Sequence, residues 1–589
     1  MNGLRLPAAR RAPLLLLAIT LAWLLAAFLL RDGRAVGLFH DDGIYVAAAQ
    51  SIANGDGYRI PNLPGELWQT KYPVLFPALL ALAWKLFPVF PANAYAFQAL
   101  VTLFGAALIP LSYLVARRLF RLAENPALAV AGLLAASPWF LGLTRWVLTE
   151  LPYATAAIGA LLLCERTFAA AGRRATGPAL LAGLAVAAGC LLKSQGIALA
   201  AAVLTLLLAQ RRWREAAGFF AGWIPLPALG LGWQLAHADP AASPLLDYYL
   251  SYRSSMLDFA AGGGLGQAAT TAGTAVAVFA QNLGRALLHF STFLALPEAM
   301  PGGLRATLIA ALLAAGLALA WRRGARLTAL FFLYFLASTL VMPWEPLRYL
   351  IPLLPLVLAL AALAFESAAL RVAGRNAPDG EIVRRRMRLA RSLALGVGLV
   401  ACAIGLGREA LTYRPAAVPE YVQWSAPWRD WQGFAETIDW LRAHTRPEDV
   451  VASPLDPFYY LHTGRRGVRY WFHNPQTYFY PAHAAPQLGS VAEIAPELRR
   501  LGVRWLIREP ALQDFYAESA AADALALELV ASPLTGGRLV FRSRDAGHFI
   551  YRLDWPGAPD GLGFPFAGVA PVAGPRPAPI SIARGPGAR

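Results

Sequence analysis

The chain has 589 residues, of which 57% are hydrophobic and only 15% charged, and its formal net charge is +17. A water-soluble chain of this length carries more charge and shorter apolar runs. Here runs of roughly 17–20 apolar residues recur, each long enough to cross about 30 Å of hydrocarbon as a helix, and the positive charge sits in arginine clusters between them rather than in any nucleic-acid-binding motif.

In chain order, Arg5, Arg10 and Arg11 precede the apolar run Ala12–Leu30. The run is long for a cleaved signal and no small-x-small site follows it, so it reads as a retained first span with a cytoplasmic N-terminus. Further spans are expected near 94–116, 126–143, 149–164, 178–193, 196–210, 216–236, 304–320, 327–342, 349–365 and 392–408. With about 11 transmembrane helices drawn this way, the clusters Arg117/Arg118/Arg121, Arg166/Arg173/Arg174, Arg211/Arg212/Arg214, Arg322/Arg323/Arg326 and Arg384–Arg391 all fall on the cytoplasmic side. Residues 271–299 are apolar too, but a crossing there would reverse every later cluster, so this segment is placed on or partly in the outer leaflet. Cys164, Cys190 and Cys402 lie in or beside apolar runs without metal-ligand spacing, and neither a disulfide nor a cysteine metal site is expected.

The fold class is thus an α-helical polytopic membrane protein. Residues 1–410 form the transmembrane domain, with a first outer loop at 31–93 bearing interfacial helices and a large outer loop at 237–303. After Tyr413 the chain gains charge and aromatics. Short alternating stretches at Asp449–Ser453, Val503–Glu509, Arg538–Phe541 and His548–Leu553 read as strands, and Phe434–His444 and Val491–Leu501 as helices. This predicts a small extracytoplasmic α/β domain over 411–555, followed by a Pro/Gly-rich disordered tail at 556–589.

The notable polar residues fall on the non-cytoplasmic side of this topology. His40, Asp41 and Asp42 open a short helix whose Tyr45, Ala48 and Ile52 are spaced to lay it along the membrane surface. The two acids have two readings, a dipole-stabilised helix start or a chemical role, although one acid suffices for a cap. Lys71-Tyr72-Pro73 precede a second apolar stretch, 74–88, expected to be interfacial. Glu150 in "TRWVLTELPYA" is a boundary carboxylate and a functional candidate by default, with Arg145 as its bland partner. Lys193 in "LLKSQG" either snorkels or serves a site. "WEPLRYLIPLLPL" sets Glu345, Arg348 and Tyr349 at a span end, where an arginine offers bidentate geometry to phosphate oxygens, or simply pairs with Glu345.

Taken together, "DDGIY", "GDGY", "KYPVLFPALL", "TRWVLTELPYA" and "LRYLIPLLP" resemble motifs of the GT-C membrane glycosyltransferases. The likeness is to the branch (glycosyltransferase family 39) of protein O-mannosyltransferases and the lipid A aminoarabinose transferase, over roughly residues 10–410. Asp42 stands where that branch usually has glutamate. The resemblance implies a GT-C fold, and arginine over lysine with heavy alanine and glycine suggests a GC-rich bacterial genome and hence a bacterial inner membrane. It implies transfer of a sugar from a polyprenyl-phosphate donor to an extracytoplasmic acceptor, with inversion at the anomeric carbon.

On that basis Asp41, Asp42 and Glu150 are the catalytic candidates, with Asp41 as the base. Lys71, Lys193 and Arg348 are candidates for the donor phosphate, and His40, Tyr45, Tyr72, Arg145, Glu345 and Tyr349 for the rest of the substrate site. The sequence requires no cofactor; a divalent ion, if one serves, would fall to Asp42 and Glu150. The partners expected are the lipid-linked donor, the acceptor and the bilayer, with no nucleic acid. A transporter or flippase would place ionisable groups near the midplane in matched halves, and a non-catalytic envelope assembly protein would be indifferent to loss of Asp41 and Glu150.

Overall fold

The computed structural model describes residues 8–65, 67–169, 176–239, 243–252, 268–294, 296, 299–342, 344–375, 431–472, 488–509 and 519–556, with a few scattered positions between 385 and 404. Most of the expected span 392–408, most of the basic stretch 384–391 and nearly all of the tail lie outside these residues.

The first helix, Ala8–Leu30, shows how the bundle is assembled. Ala12, Ile19, Trp23, Ala27 and Leu30 are buried, whereas Leu14, Leu17, Leu21, Leu25, Phe28 and Leu29 are exposed. The buried set recurs at helical spacing and packs against the helices Ala94–Leu114 and Glu124–Ala136. An exposed face of leucines is what a helix at the rim of a membrane bundle presents to lipid. The helices Thr176–Leu192 and Trp213–Trp223 approach more closely still: a Cβ on Gly222 would lie 2.1 Å from the Leu180 carbonyl oxygen, and one on Gly183 2.2 Å from that of Phe219. Small residues permit such backbone contact between apolar helices.

The sequence reading draws eleven crossings. Among the described residues, four helices are long and apolar enough to cross a membrane: Arg11–Leu30, Ala94–Leu119, Gly302–Arg322 and Leu347–Ala368. Two bent pairs, Glu124–Ala136 with Pro138–Arg145 and Trp213–Trp223 with Pro225–His237, raise the number to six if each is one broken span. Other expected spans are shorter apolar helices, such as Thr176–Leu192 and Arg326–Leu340. Ala268–Phe293, in the segment expected at the outer leaflet, is one 26-residue helix packed along Gly302–Arg322 and Arg326–Leu340.

The helix Asp41–Asn54 departs from expectation. Its spacing suggests a helix lying on the membrane with one face in water, yet Asp41 to Ala49 and Ser51 are all buried. One face meets the helix Leu75–Leu86 and another the helix Asp456–Thr463 from the C-terminal region. A mild apolar periodicity underestimates burial here because alanines and a glycine admit neighbours on every side.

The C-terminal residues form a five-stranded sheet from β1 (Val450–Ala452), β2 (Gly467–Val468), β3 (Val503–Arg508), β4 (Gly537–Arg542) and β5 (Phe549–Leu553) in the order β2-β1-β3-β5-β4. β1 runs parallel to β2 and β3, and β5 antiparallel to β3 and β4. β1 is buried throughout, as a strand with parallel neighbours on both sides should be. It leads through Leu455 into Asp456–Thr463, which carries the sheet's contact with the 31–93 loop.

Candidate active site

A sharp turn sets the site. His40 has φ 67 and ψ −61, and the Asp41 amide donates to the Phe39 carbonyl at 2.9 Å. This is the rarer, strained γ-turn, and for a non-glycine residue it costs about 1–3 kcal/mol. Helix Asp41–Asn54 starts immediately after it, so Asp41 and Asp42 occupy the first turn, where the helix dipole favours a carboxylate. A second support comes from residues 58–73: Gln69 Oε1 accepts from the amides of Lys71 and Tyr72, and the Tyr58 hydroxyl donates to the Tyr72 carbonyl at 2.9 Å. These bonds aim Lys71 and Tyr72 at the start of the Asp41 helix.

Asp41 is the centre of the resulting network. Its Oδ2 accepts from Arg348 Nη2 at 2.5 Å, and its Oδ1 from the hydroxyls of Tyr72 at 2.8 Å and Tyr248 at 3.3 Å. Arg348 Nε lies 3.9 Å from Glu150 Oε1, and Lys193 Nζ lies 2.9 Å from the same oxygen. Lys71 Nζ donates to the Tyr248 carbonyl at 2.5 Å and sits 3.8 Å from the centre of the Tyr248 ring. Arg348 also donates to the Tyr349 hydroxyl at 2.7 Å, and Lys193 lies 4.9 Å from that ring's centre. Asp41, Lys71, Tyr72, Glu150, Lys193, Arg348 and Tyr349, which come from distant stretches of the chain, thus meet in one place.

The electrostatics follow from burial. Desolvation pushes the Asp41 carboxyl up, but Arg348, Lys71 and the Arg348 hydrogen bond outweigh it and hold the group below the usual carboxylate range. Among the described residues, no cation stands against Asp42 in this way. It accepts from the Gly37 amide at 3.1 Å, its other oxygen has no hydrogen-bond partner among them, and burial with the Asp41 charge alongside pushes it up to about 7. Lys71 is driven down to about 7 by burial in spite of Asp41. His40, sealed against Asp456 at 3.0 Å, is driven by burial to about 4 and is neutral at physiological pH.

Other expected site residues take different positions. Glu345 does not pair with Arg348; it meets Arg285 at 3.2 Å and His289 at 2.6 Å, both from the helix Ala268–Phe293. The Arg145 carbonyl accepts from Gln98 at 2.7 Å. Tyr45 packs edge-on against Tyr72 at 4.9 Å and against Phe76, behind the network. His40 faces Asp456 rather than the Arg348 network. Sequence reasoning passes over Tyr248, Tyr249 and Tyr252 and the C-terminal Asp456. The available signal was "DYYLSYR" at 247–253, a dense aromatic run in an outer loop, and "LDPFYY" at 455–460, an acid at a strand-to-helix turn.

The donor set does not fit a resident divalent ion. Among the described residues no three histidine, cysteine or carboxylate side chains are grouped as a metal site requires. Asp41 and Glu150 are each already met by a cation, and the Asp42 side chain is turned to backbone amides, that of Gly37 at 3.1 Å.

Residues 71–229 match the family model of dolichyl-phosphate-mannose-protein mannosyltransferases. The resemblance to the GT-C membrane glycosyltransferases holds. The match begins at Lys71 and takes in Glu150 and Lys193, three of the residues that converge on Asp41 and Arg348. Among solved structures, the GT-C-like chain resembles the archaeal oligosaccharyltransferase AglB from Archaeoglobus fulgidus, in complex with an inhibitory peptide and a dolichol-phosphate, at 15% identity and a TM-score of 0.50 over 91% of this chain and 74% of that one. At that identity the likeness concerns the fold alone. Further matches are ArnT from Cupriavidus metallidurans in the apo state (14% identity, 93% of this chain and 98% of that one, TM-score 0.49) and the arabinofuranosyltransferase AftD from Mycobacteria (19%, 92% and 40%, TM-score 0.41). No curated protein matches the sequence.

Proposed function

We propose that this GT-C-like protein transfers a sugar from a polyprenyl-phosphate donor to an acceptor hydroxyl on the non-cytoplasmic side of a bacterial inner membrane, inverting the anomeric carbon, with Asp41 as the base. The observation that carries the reading is the Arg348 guanidinium, 2.5 Å from Asp41 and 3.9 Å from Glu150. It is a cation placed between two carboxylates and open to re-sharing with an incoming anion. The matched family takes its name from dolichyl-phosphate-mannose, and the AglB structure is a complex with a dolichol-phosphate; both accord with a lipid phosphate as that anion.

The chemistry proceeds from these positions. The donor phosphate draws Arg348 toward itself, with Lys193 and Lys71 as neighbouring cations. Asp41 thereby loses the partner that keeps it a weak base and gains basicity once donor is bound. The acceptor hydroxyl takes the place of the longer Tyr248 contact, Tyr72 holds the carboxylate in line, and Asp41 accepts the hydroxyl proton as the new C–O bond forms. The old bond to phosphate breaks on the opposite face, and the leaving phosphate's charge falls on the cations. The outer-loop tyrosines Tyr248 and Tyr252, and the part of the proposed C-terminal domain (about 411–555) that meets the first loop, would limit the access of water to this centre.

The test is to reconstitute the full chain in phospholipid vesicles with a panel of labelled polyprenyl-phosphate sugars. In parallel, envelope glycans and lipids of a deletion strain are searched by mass spectrometry for one missing sugar. Transfer by wild type that Asp41→Asn abolishes supports the reading. A deletion strain with an unchanged envelope, together with no transfer from any donor, rejects it.

A further inference from the structure

Asp456 lies where the C-terminal sheet meets the loop that carries Asp41. Its carboxylate, 1% exposed, gathers three donors from separate stretches of chain: His40 Nε2 at 3.0 Å, the Tyr249 hydroxyl at 2.7 Å and Asn62 Nδ2 at 2.9 Å. Attachment of the sheet to the loop does not need the histidine, because the Gly467 amide donates to the Asn62 carbonyl at 2.7 Å as well. The contact is also close-fitting. A Cβ on Gly37 would lie 3.1 Å from the Phe458 backbone, and one on Gly43 2.7 Å from Pro457 Cβ. Glycine at both positions lets the Asp456–Thr463 helix seat directly on the turn.

His40 is the residue that adopts φ 67 in that turn. L-residues avoid this conformation, and it persists where surrounding contacts over-determine it. Among the described residues, the hydrogen bond of the His40 ring is to Asp456, and Nδ1 has no partner. That bond ties the His40 ring to the Asp456 carboxylate from the far side of the turn. Asp41 is the next residue. Relaxation of His40 toward negative φ would swing the start of the helix and carry the Asp41 carboxylate off Arg348 and Tyr72.

We propose that Asp456 is a positioning residue: by holding the His40 ring it fixes the strained turn that places the Asp41 carboxylate in the site. The C-terminal region is then a working part of the active site rather than an appendage. The proposal rests on the reading of Asp41 as the base.

The test compares Asp456→Ala, Asp456→Asn and Asn62→Ala in the full-length protein. Asparagine at 456 still accepts from His40 and Tyr249, and the Asn62 amide can rotate to receive its new N–H. Asn62→Ala removes a bond to Asp456 without touching His40. One readout is restoration, at equal membrane levels, of the sugar missing from the deletion strain. The other is hydrogen exchange of the purified chain over 38–44, with 503–508 in the sheet as the internal control.

Asp456→Ala should lower restoration about 100-fold, the loss expected of a 1 Å misplacement, and speed exchange over 38–44 while 503–508 stays protected. Asp456→Asn should recover most of the activity, and Asn62→Ala should stay near wild type. Wild-type restoration by Asp456→Ala, equal losses in Asp456→Ala and Asn62→Ala, or exchange that rises alike in turn and sheet would overturn the proposal. If Asp41→Asn also restores the sugar, it is the assignment of the base that fails, and the exchange data still decide whether Asp456 anchors the turn.

Discussion

The helix Glu150–Ala169 carries a carboxylate near each end, and the two are partnered in different ways. Glu165 accepts from the Thr328 hydroxyl at 3.1 Å. Elsewhere in the bundle Arg212, paired with Glu215 at 3.1 Å, also caps the Phe168 carbonyl at 2.7 Å, and Arg323, 3.9 Å from Glu366, caps the Phe120 carbonyl at 2.9 Å. Those bonds satisfy carbonyls that helix ends leave without partners, so the cations are committed to the fold. About 22 Å from Glu165 along the helix, Glu150 has one oxygen facing Lys193 and Arg348 and the other buried with no partner among the described residues. There the guanidinium lies between two carboxylates. A cation that ends on a carbonyl is a structural cap; one shared between acids can be drawn off by a phosphate. On the proposed reading, buried charge alone does not mark a site, whereas charge left in a re-shareable arrangement does.

The largest effect that sharpens this contrast is expected from Arg348→Ala. It removes the cation from the developing phosphate charge and should lower transfer about 10²–10³-fold, read as initial rate in vesicles. Transfer that survives would break the distinction drawn between the two ends.

Next is Glu150→Gln, which strands Lys193 in a buried position. Removing one partner of a buried pair costs about 3–5 kcal/mol, so the thermal midpoint in detergent should fall clearly, and the double variant Glu150→Gln/Lys193→Met should recover much of it. If the double variant is no more stable than the single, the pair is not the coupled unit described.

Smaller again is the effect of Asp42. Its folded-state pKa is raised above the unfolded value of 3.8 to about 7, so its contribution to stability is complete below about pH 4 and is lost as pH rises through about 7. Asp42→Asn keeps an acceptor for the Gly37 amide and removes the charge. The thermal midpoint of the variant should therefore fall less than that of wild type between pH 5 and pH 8, and parallel curves would show that Asp42 stays ionised. Smallest is Glu165→Gln, which should leave transfer close to the wild-type rate.

The extent to which this was legible in the sequence depended on the kind of signal. Apolar runs and alternating stretches mark helices such as Ala8–Leu30 and strands such as Val503–Arg508 because burial on one face imposes a period. Asp41, Lys71, Glu150, Lys193 and Arg348 stand out as ionisable groups at the edges of apolar segments, where leaving them uncompensated is costly. The partners were not legible. That Arg348 meets Asp41 rather than Glu345 depends on how helices far apart in sequence pack, and no local pattern encodes it. Asp456 lay in a stretch readable only as a turn, and its contact with His40 depends on seating the sheet against the first loop. The burial of the helix Asp41–Asn54 was hidden for the same reason.

The central claim is that Asp41 takes the acceptor's proton once a lipid phosphate has drawn Arg348 away. The direct measurement is the rate of sugar transfer from a polyprenyl-phosphate donor in vesicles by wild type and Asp41→Asn, with undecaprenyl phosphate binding measured on both. The account predicts a loss of about 10²–10⁴-fold in transfer, with binding retained or tightened because Arg348 is freed. Wild-type transfer by Asp41→Asn would contradict it.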